Sequence, residues 1–160
     1  MNRQHAVYDI FESPLGTLFL IFSGKLLAGL AFEKPDNISF RAGSSPETFI
    51  RELTTYFNGS EVEFSQDTVF LKGTEFERRV WDTLKKIPFG ETRSYKWVAE
   101  QTGSSGATRA VGRALSKNPI PVVVPCHRVI ESDGSIGGYA SGVDIKRRLL
   151  DIEYYAKINS

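Results

Sequence analysis

The sequence predicts a small α/β N-terminal domain over residues 1–72, made of antiparallel strands plus a helix, followed by a mainly α C-terminal domain over residues 73–160 with a helix-turn-helix. Three observations predict it. Strand-sized apolar runs between turn signals give way, from Pro46, to apolar residues at helical spacing. Thr74 and Glu77 form a capping-box pattern just after Leu71-Lys72-Gly73, which marks a fresh helix start. Charge changes sign at the same place: residues 1–72 carry 6 basic and 9 acidic side chains, residues 73–160 carry 14 and 10.

Each element follows in order. Ala6–Glu12, Thr17–Phe22 and Leu26–Phe32 are rich in Phe, Leu, Ile and Val and are separated by Ser13-Pro14-Leu15-Gly16 and Ser23-Gly24-Lys25, the spacing of an antiparallel meander. Asp36–Ser45 is polar and reads as a loop. Phe49, Ile50, Leu53, Tyr56 and Phe57 share a helix face that Asn58-Gly59 stops. Nothing in this half looks catalytic. Beyond Thr74 a helix runs to about Ile87, burying Phe76, Val80, Trp81 and Leu84, and Pro88-Phe89-Gly90 ends it. Ser94–Thr102 is a short helix, Gly103–Gly106 a turn, and Ala107–Lys117 a third helix. Val122–Val124 is a stiff, strand-sized apolar run leading into Pro125-Cys126-His127. Gly134, Gly137, Gly138 and Gly142 mark a loop, and Asp144–Ile152 a closing helix.

Composition excludes several classes. With 160 residues, 41% hydrophobic and a net charge of +1, the chain is neither disordered nor a polycation. It has no apolar run of about 18 residues to span a membrane. Arg3, Gln4, His5, Asp9 and Glu12 interrupt any candidate apolar leader, and the single cysteine points to a reducing compartment, so a cytoplasmic protein is expected. Cys126 is the single cysteine, so no internal disulfide can form. With only His5 and His127 beside it, no metal site is expected, and no cofactor.

Chemistry has two candidate seats. The pair of helices over Ser94–Lys117 is a helix-turn-helix pattern. From Arg93 to Arg128 there are six basic residues (Arg93, Lys96, Arg109, Arg113, Lys117, Arg128) against Glu100. Ala107, Ala110, Gly112 and Ala114 keep the second helix slim. Packing accounts for the alanines but not for Gly112, which costs about 1 kcal/mol in a helix interior. Such a helix suits close approach either to a DNA backbone or to its own protein. The second seat is Pro125-Cys126-His127-Arg128. A thiolate is the nucleophile, and cationic neighbours lower its pKa. Adjacent side chains diverge, so His127 reaches the sulfur only through a turn or a water, and a carboxylate must orient it. Glu153 is one candidate. The alternative is a buried cysteine after a core strand with a structural histidine.

The longer string Asn118-Pro119-Ile120-Pro121-Val122-Val123-Val124-Pro125-Cys126-His127-Arg128-Val129-Ile130 closely resembles the active-site signature of the O6-alkylguanine-DNA alkyltransferases. Pro88-Phe89-Gly90-Glu91, Ser94-Tyr95 and Arg109-Ala110-Val111-Gly112 resemble family landmarks before it. Gly137-Gly138-Tyr139, Lys146, Leu149-Leu150 and Glu153 do so after it. The likeness spans roughly residues 74–153. The first half fits loosely, as a ribonuclease-like domain. The resemblance implies that Cys126 accepts the alkyl group, that His127 takes its proton through a water, that Glu153 holds the imidazole, and that Asn118 braces the turn. Glu153 is expected to favour a charged His127 and, through it, the thiolate. By the same resemblance, Tyr95 would protonate the leaving base and crowd the phosphate that rotates. Arg109 would enter the vacated stack, and Arg113, Lys96 and Gly112 would complete the DNA contact. The carbonyls of Cys126 and Val129 would read the guanine amino group. Tyr139, the N–H of Ala140 and Leu115 shape the base pocket. Ala140 stands where the family commonly has Ser, and its backbone donor survives the change. The zinc site of some relatives needs cysteines this chain lacks.

The resemblance thus implies a monomer that docks in the minor groove of double-stranded DNA containing O6-alkylguanine. It flips the base out and acts once, irreversibly and stoichiometrically. Flipping suits a lesion that cannot be reached inside the duplex, and the degenerate minor groove suits a reader that ignores sequence. Rival readings are a non-catalytic alkylated-DNA binder, a thiol hydrolase and a helix-turn-helix regulator.

Overall fold

Leu18, Leu20 and Phe22 alternate along one face of β2 (Gly16–Ser23) and are fully buried, the pattern of a strand covered on one side. β1 (Ala6–Ser13) and β3 (Leu26–Ala31) flank it antiparallel, as the meander requires. The structure, a computed structural model, describes residues 6–160; His5 lies outside them. A short β4 (Ser39–Phe40) joins parallel to β1, giving the order β3-β2-β1-β4. The polar composition of residues 36–45 hid it. What holds it is local: Arg41 N donates to Tyr8 O at 2.8 Å, and Ser45 N to the Asp9 carboxylate at 3.1 Å.

Helix α1 (Glu47–Phe57) buries Phe49, Leu53 and Tyr56 against the sheet. The following segment returns along β3, where Leu27 N donates to Asp67 O at 2.9 Å and Val69 N to Leu27 O at 3.0 Å. Helix α2 (Glu75–Leu84) starts on the complete capping box of Thr74 and Glu77. It ends before Ile87, because Pro88 disfavours helical backbone ahead of it. Residues 85–87 tighten into turns instead. Helices α3 (Tyr95–Gln101) and α4 (Thr108–Ser116) pack on α2. The Trp81 indole N–H donates to Ala114 O at 2.8 Å, locking α2 to α4.

β5 (Arg93–Ser94) pairs parallel with β6 (Val129–Ile130), which sets Tyr95 beside the chain that follows Cys126. Helix α5 (Val143–Ile158) runs past Ile152 and so carries Glu153 inside it. The buried apolar residues of both halves form one continuous cluster, and Leu30 N on β3 donates to Pro119 O at 2.9 Å across the junction. No helix among the described residues is long and apolar enough to cross a membrane.

Val122–Val124 is not a strand. Pro119, Pro121 and Pro125 cannot donate to a ladder, and Val124 N bonds back to Ile120 O at 2.8 Å. Val122 takes a φ of 74°, an unusual conformation for a β-branched residue. The run is a coiled support for the residues after it.

Candidate active site and nucleic-acid interface

Asn118 holds that support together. Its Nδ2 donates to Val124 O at 2.8 Å and its Oδ1 accepts from Ile120 N at 3.0 Å. The chain then enters a single 3-10 turn, Cys126–Arg128. Successive side chains of such a turn diverge by about 120°. Cys126 therefore faces one way and His127 another, into the core, where its ring is wholly buried.

His127 meets Glu153. Its Nε2 lies 2.5 Å from Oε2, so Nε2 carries the proton and Nδ1 is left buried without a protein partner. The carboxylate is saturated with donors. Oε1 accepts from Gly90 N at 2.9 Å and from Arg128 Nε at 2.8 Å. Oε2 also accepts from the Tyr56 hydroxyl at 2.6 Å and from Arg128 Nη2 at 3.2 Å. Burial pushes the Glu153 carboxyl up, but His127 and Arg128 outweigh it and hold it at about 2. Burial pushes the His127 imidazole below its ordinary value, and Arg128 and Lys146 add to this against the pull of Glu153. Burial also pushes the Cys126 thiol up, with Asn118, Tyr139 and the Lys146 ammonium opposing. The resting pair at neutral pH is thus a thiol and a neutral imidazole. Glu153 does favour a charged His127, as expected, but burial of the ring outweighs it, with Arg128 and Lys146 adding to the opposition, so the expected gain for the thiolate is not present at rest.

Cys126 lies at a cavity of about 300 Å³ lined also by Tyr95, Gly112, Leu115, Ser116, Gly138, Tyr139 and Ala140. That is the low end for a small-ligand pocket. Larger clefts exist, but none of them is lined by the cysteine. Gly137, at φ 73°, has to be glycine, since a Cβ there would sit 2.9 Å from the Tyr95 hydroxyl. Lys146 pins the pocket loop: its Nζ donates to Val129 O at 2.7 Å and Gly138 O at 3.1 Å. Val129 is buried outside the cavity lining. The buried Tyr139 hydroxyl makes no aligned hydrogen bond, so it acts on the thiol by proximity. Arg109, Gly112, Arg113 and Ser116 occupy one face of α4 at helical spacing, running past the cavity rim. Arg109, Arg113 and Lys96 are exposed and make no ion pair with another described residue. A Cβ on Gly112 would meet nothing within 4 Å. Among the described residues no group of three or more His, Cys, Asp or Glu could hold a metal ion.

The model of the 6-O-methylguanine DNA methyltransferase DNA-binding domain matches residues 75–155, and that of the family's ribonuclease-like domain matches residues 6–68. The chain belongs to the 6-O-methylguanine DNA methyltransferase family. A methylated-DNA–protein-cysteine methyltransferase of Mycobacterium leprae is 43% identical over 154 residues, with 93% of each chain covered. One from Methanosarcina barkeri is 45% identical, covering 91% of this chain and 96% of its own. The crystal structure of Mycobacterium tuberculosis OGT in complex with DNA superposes with a TM-score of 0.87 at 39% identity, covering 93% of each chain. This member of the family is a DNA-repair methyltransferase that binds DNA and transfers alkyl groups.

For three residues of this methyltransferase, sequence reasoning missed what the side chain touches. Arg128 is not a DNA-facing cation: it is buried against Glu153 and donates to Ile87 O at 2.7 Å. Arg93 and Lys117 are also engaged, with Glu91 and Glu77. Lys146 is 1% exposed, and only its place in the family landmarks singled it out. Tyr56 belongs to the half in which nothing looked catalytic, yet its hydroxyl reaches Glu153.

Proposed function

We propose that Cys126 is the acceptor in an irreversible, single-turnover transfer from O6-alkylguanine in duplex DNA. The arrangement that carries this reading is a thiol on the wall of a small cavity, backed by Asn118 and the His127–Glu153 pair and rimmed by the free cations of α4. The family's match to methylated-DNA–protein-cysteine methyltransferases supports it.

The domain boundary falls at residues 72 and 73. Arg109, Arg113 and Lys96 bind the duplex from the minor groove, with Gly112 letting the backbone come close. Arg109 fills the space left by the flipped nucleotide. The base enters the cavity, where Leu115 and Tyr139 flank it, the Ala140 N–H donates to O6, and the Cys126 and Val129 carbonyls accept from the amino group. The Cys126 proton passes through one water to His127 Nδ1, and Glu153 stabilises the imidazolium so formed. The sulfur–carbon bond forms as the carbon–O6 bond breaks, and the electron pair leaves on guanine. The Tyr95 hydroxyl, held in its protonated form by burial and by Glu131 and Cys126, donates to that developing charge. The thioether has no carbonyl for water to attack, so the product persists. The protein works as a monomer in the cytoplasm.

Peptide mass mapping after incubation with an O6-methylguanine duplex tests the assignment. One added methyl on the peptide carrying Cys126, absent in Cys126→Ser, is expected. A methyl elsewhere, or transfer by Cys126→Ser at a tenth of the wild-type rate, overturns it.

A further inference from the structure

We propose that Tyr56 is a positioning residue for alkyl transfer, through which the N-terminal domain holds the Glu153 carboxylate and limits its grip on His127. The proposal rests on the roles given above to Cys126, His127 and Glu153.

Tyr56 is wholly buried, its ring packed at 5.1, 5.6 and 5.8 Å between centroids from Phe57, Phe64 and Phe89. A phenylalanine would fill the same space. The hydroxyl must find a partner because burial without one is costly, and of all groups it selects Glu153 Oε2, at 2.6 Å. That same oxygen accepts from His127 Nε2 at 2.5 Å, and the phenol oxygen lies 3.5 Å from that nitrogen. The groups facing this carboxylate are Tyr56 from α1, Gly90 N ahead of β5, and His127 and Arg128 from the Cys126 turn. Lys146 on α5 and Tyr139 in the pocket loop act at longer range, on His127 and Tyr56 respectively. Tyr56 is the only one of these from the N-terminal domain.

Three donors, the Tyr56 hydroxyl, His127 Nε2 and the more distant Arg128 Nη2, share this oxygen and compete for its charge. The Tyr56 O–H takes a share that would otherwise stabilise a protonated His127, so the imidazole stays neutral and ready for the Cys126 proton. Burial and the charge of Glu153 keep the phenol protonated far beyond neutral pH, so it is a fixed donor and never part of the proton path. Removing the hydroxyl returns that charge to His127, which then protonates at higher pH.

The test is the single-turnover rate of the full chain on an O6-methylguanine duplex, from about pH 8 down to about pH 5 and as far below as the folded protein allows, because burial lowers the His127 value. In the wild type the rate falls on the acid side as His127 gains its proton. In Tyr56→Phe the midpoint of that fall is expected about half a unit higher, a threefold change in proton affinity, with duplex affinity unchanged. Phe64→Leu disturbs the same packing without touching the hydroxyl, and its midpoint should match the wild type. Glu153→Gln should move the midpoint down. An unmoved midpoint in Tyr56→Phe, with Glu153→Gln shifted, overturns the role of Tyr56 alone. A midpoint unmoved in both variants removes the relay itself, and with it the role of Tyr56. If Tyr56→Phe does not fold, 3-fluorotyrosine at position 56 keeps the packing and strengthens the donor. The midpoint should then move down, and an unmoved one overturns the proposal.

Discussion

Replacing Glu153 by Gln should destabilise the protein by about 2 to 3 kcal/mol at pH 7. The carboxyl is 2% exposed and held at about 2, against an ordinary 4.5. At 1.36 kcal/mol a unit that gap corresponds to about 3 kcal/mol. Part of it comes from a charged His127, which is neutral at pH 7, so the share felt there is smaller. Breaking a buried ion pair costs 3–5 kcal/mol or so, and the Gln amide recovers some hydrogen bonds, which agrees. For a chain this long, Tm should fall by roughly 4–12 °C. The sign with pH is fixed. A depressed carboxyl contributes stability above its unfolded value and loses it as pH falls through the folded one. The gap between wild type and variant should not narrow from pH 6.5 to 4.5, where His127 is gaining its proton beside Glu153. It should close from pH 4.5 toward 2. Urea unfolding across this range reads it. A loss under about 1 kcal/mol at pH 7, or a gap that stays constant between pH 4.5 and the acid limit, would refute the reasoning.

Two further outcomes are expected. Gly112→Ala should raise stability by up to about 1 kcal/mol, because the new Cβ meets nothing and helix propensity improves. It should also slow repair in duplex DNA, and faster or unchanged duplex repair would show that α4 does not approach the backbone there. Arg109→Ala should lose about tenfold on duplex, equivalent to 1.4 kcal/mol, and little on free O6-benzylguanine. A loss that matches Arg113→Ala and shrinks as salt rises would reduce Arg109 to a phosphate contact.

Legibility in the sequence followed locality. The meander, the capping box at Thr74 and the helices around Ser94–Lys117 are written in short-range pattern, and they lie where that pattern puts them. Cys126, His127 and Glu153 came from a contiguous motif and its spacing. The residues missed are those whose meaning is made by tertiary packing. Tyr56 has the periodicity of a core residue and is one; only the direction of its hydroxyl gives it a partner 97 positions away. Arg128 counts as surface charge until its partner is seen. Val122–Val124 has strand composition, but the surrounding prolines and the Asn118 side chain supply a different set of backbone bonds. β4 is too short for any period to register.

The central claim is that Cys126 takes one alkyl group and keeps it. A progress curve with O6-methylguanine duplex in excess tests this most directly. The account predicts a plateau at about one methyl per chain, since a thioether offers water no carbonyl to attack and no second cysteine exists to resolve it. Product that continues to accumulate well past one equivalent would contradict it.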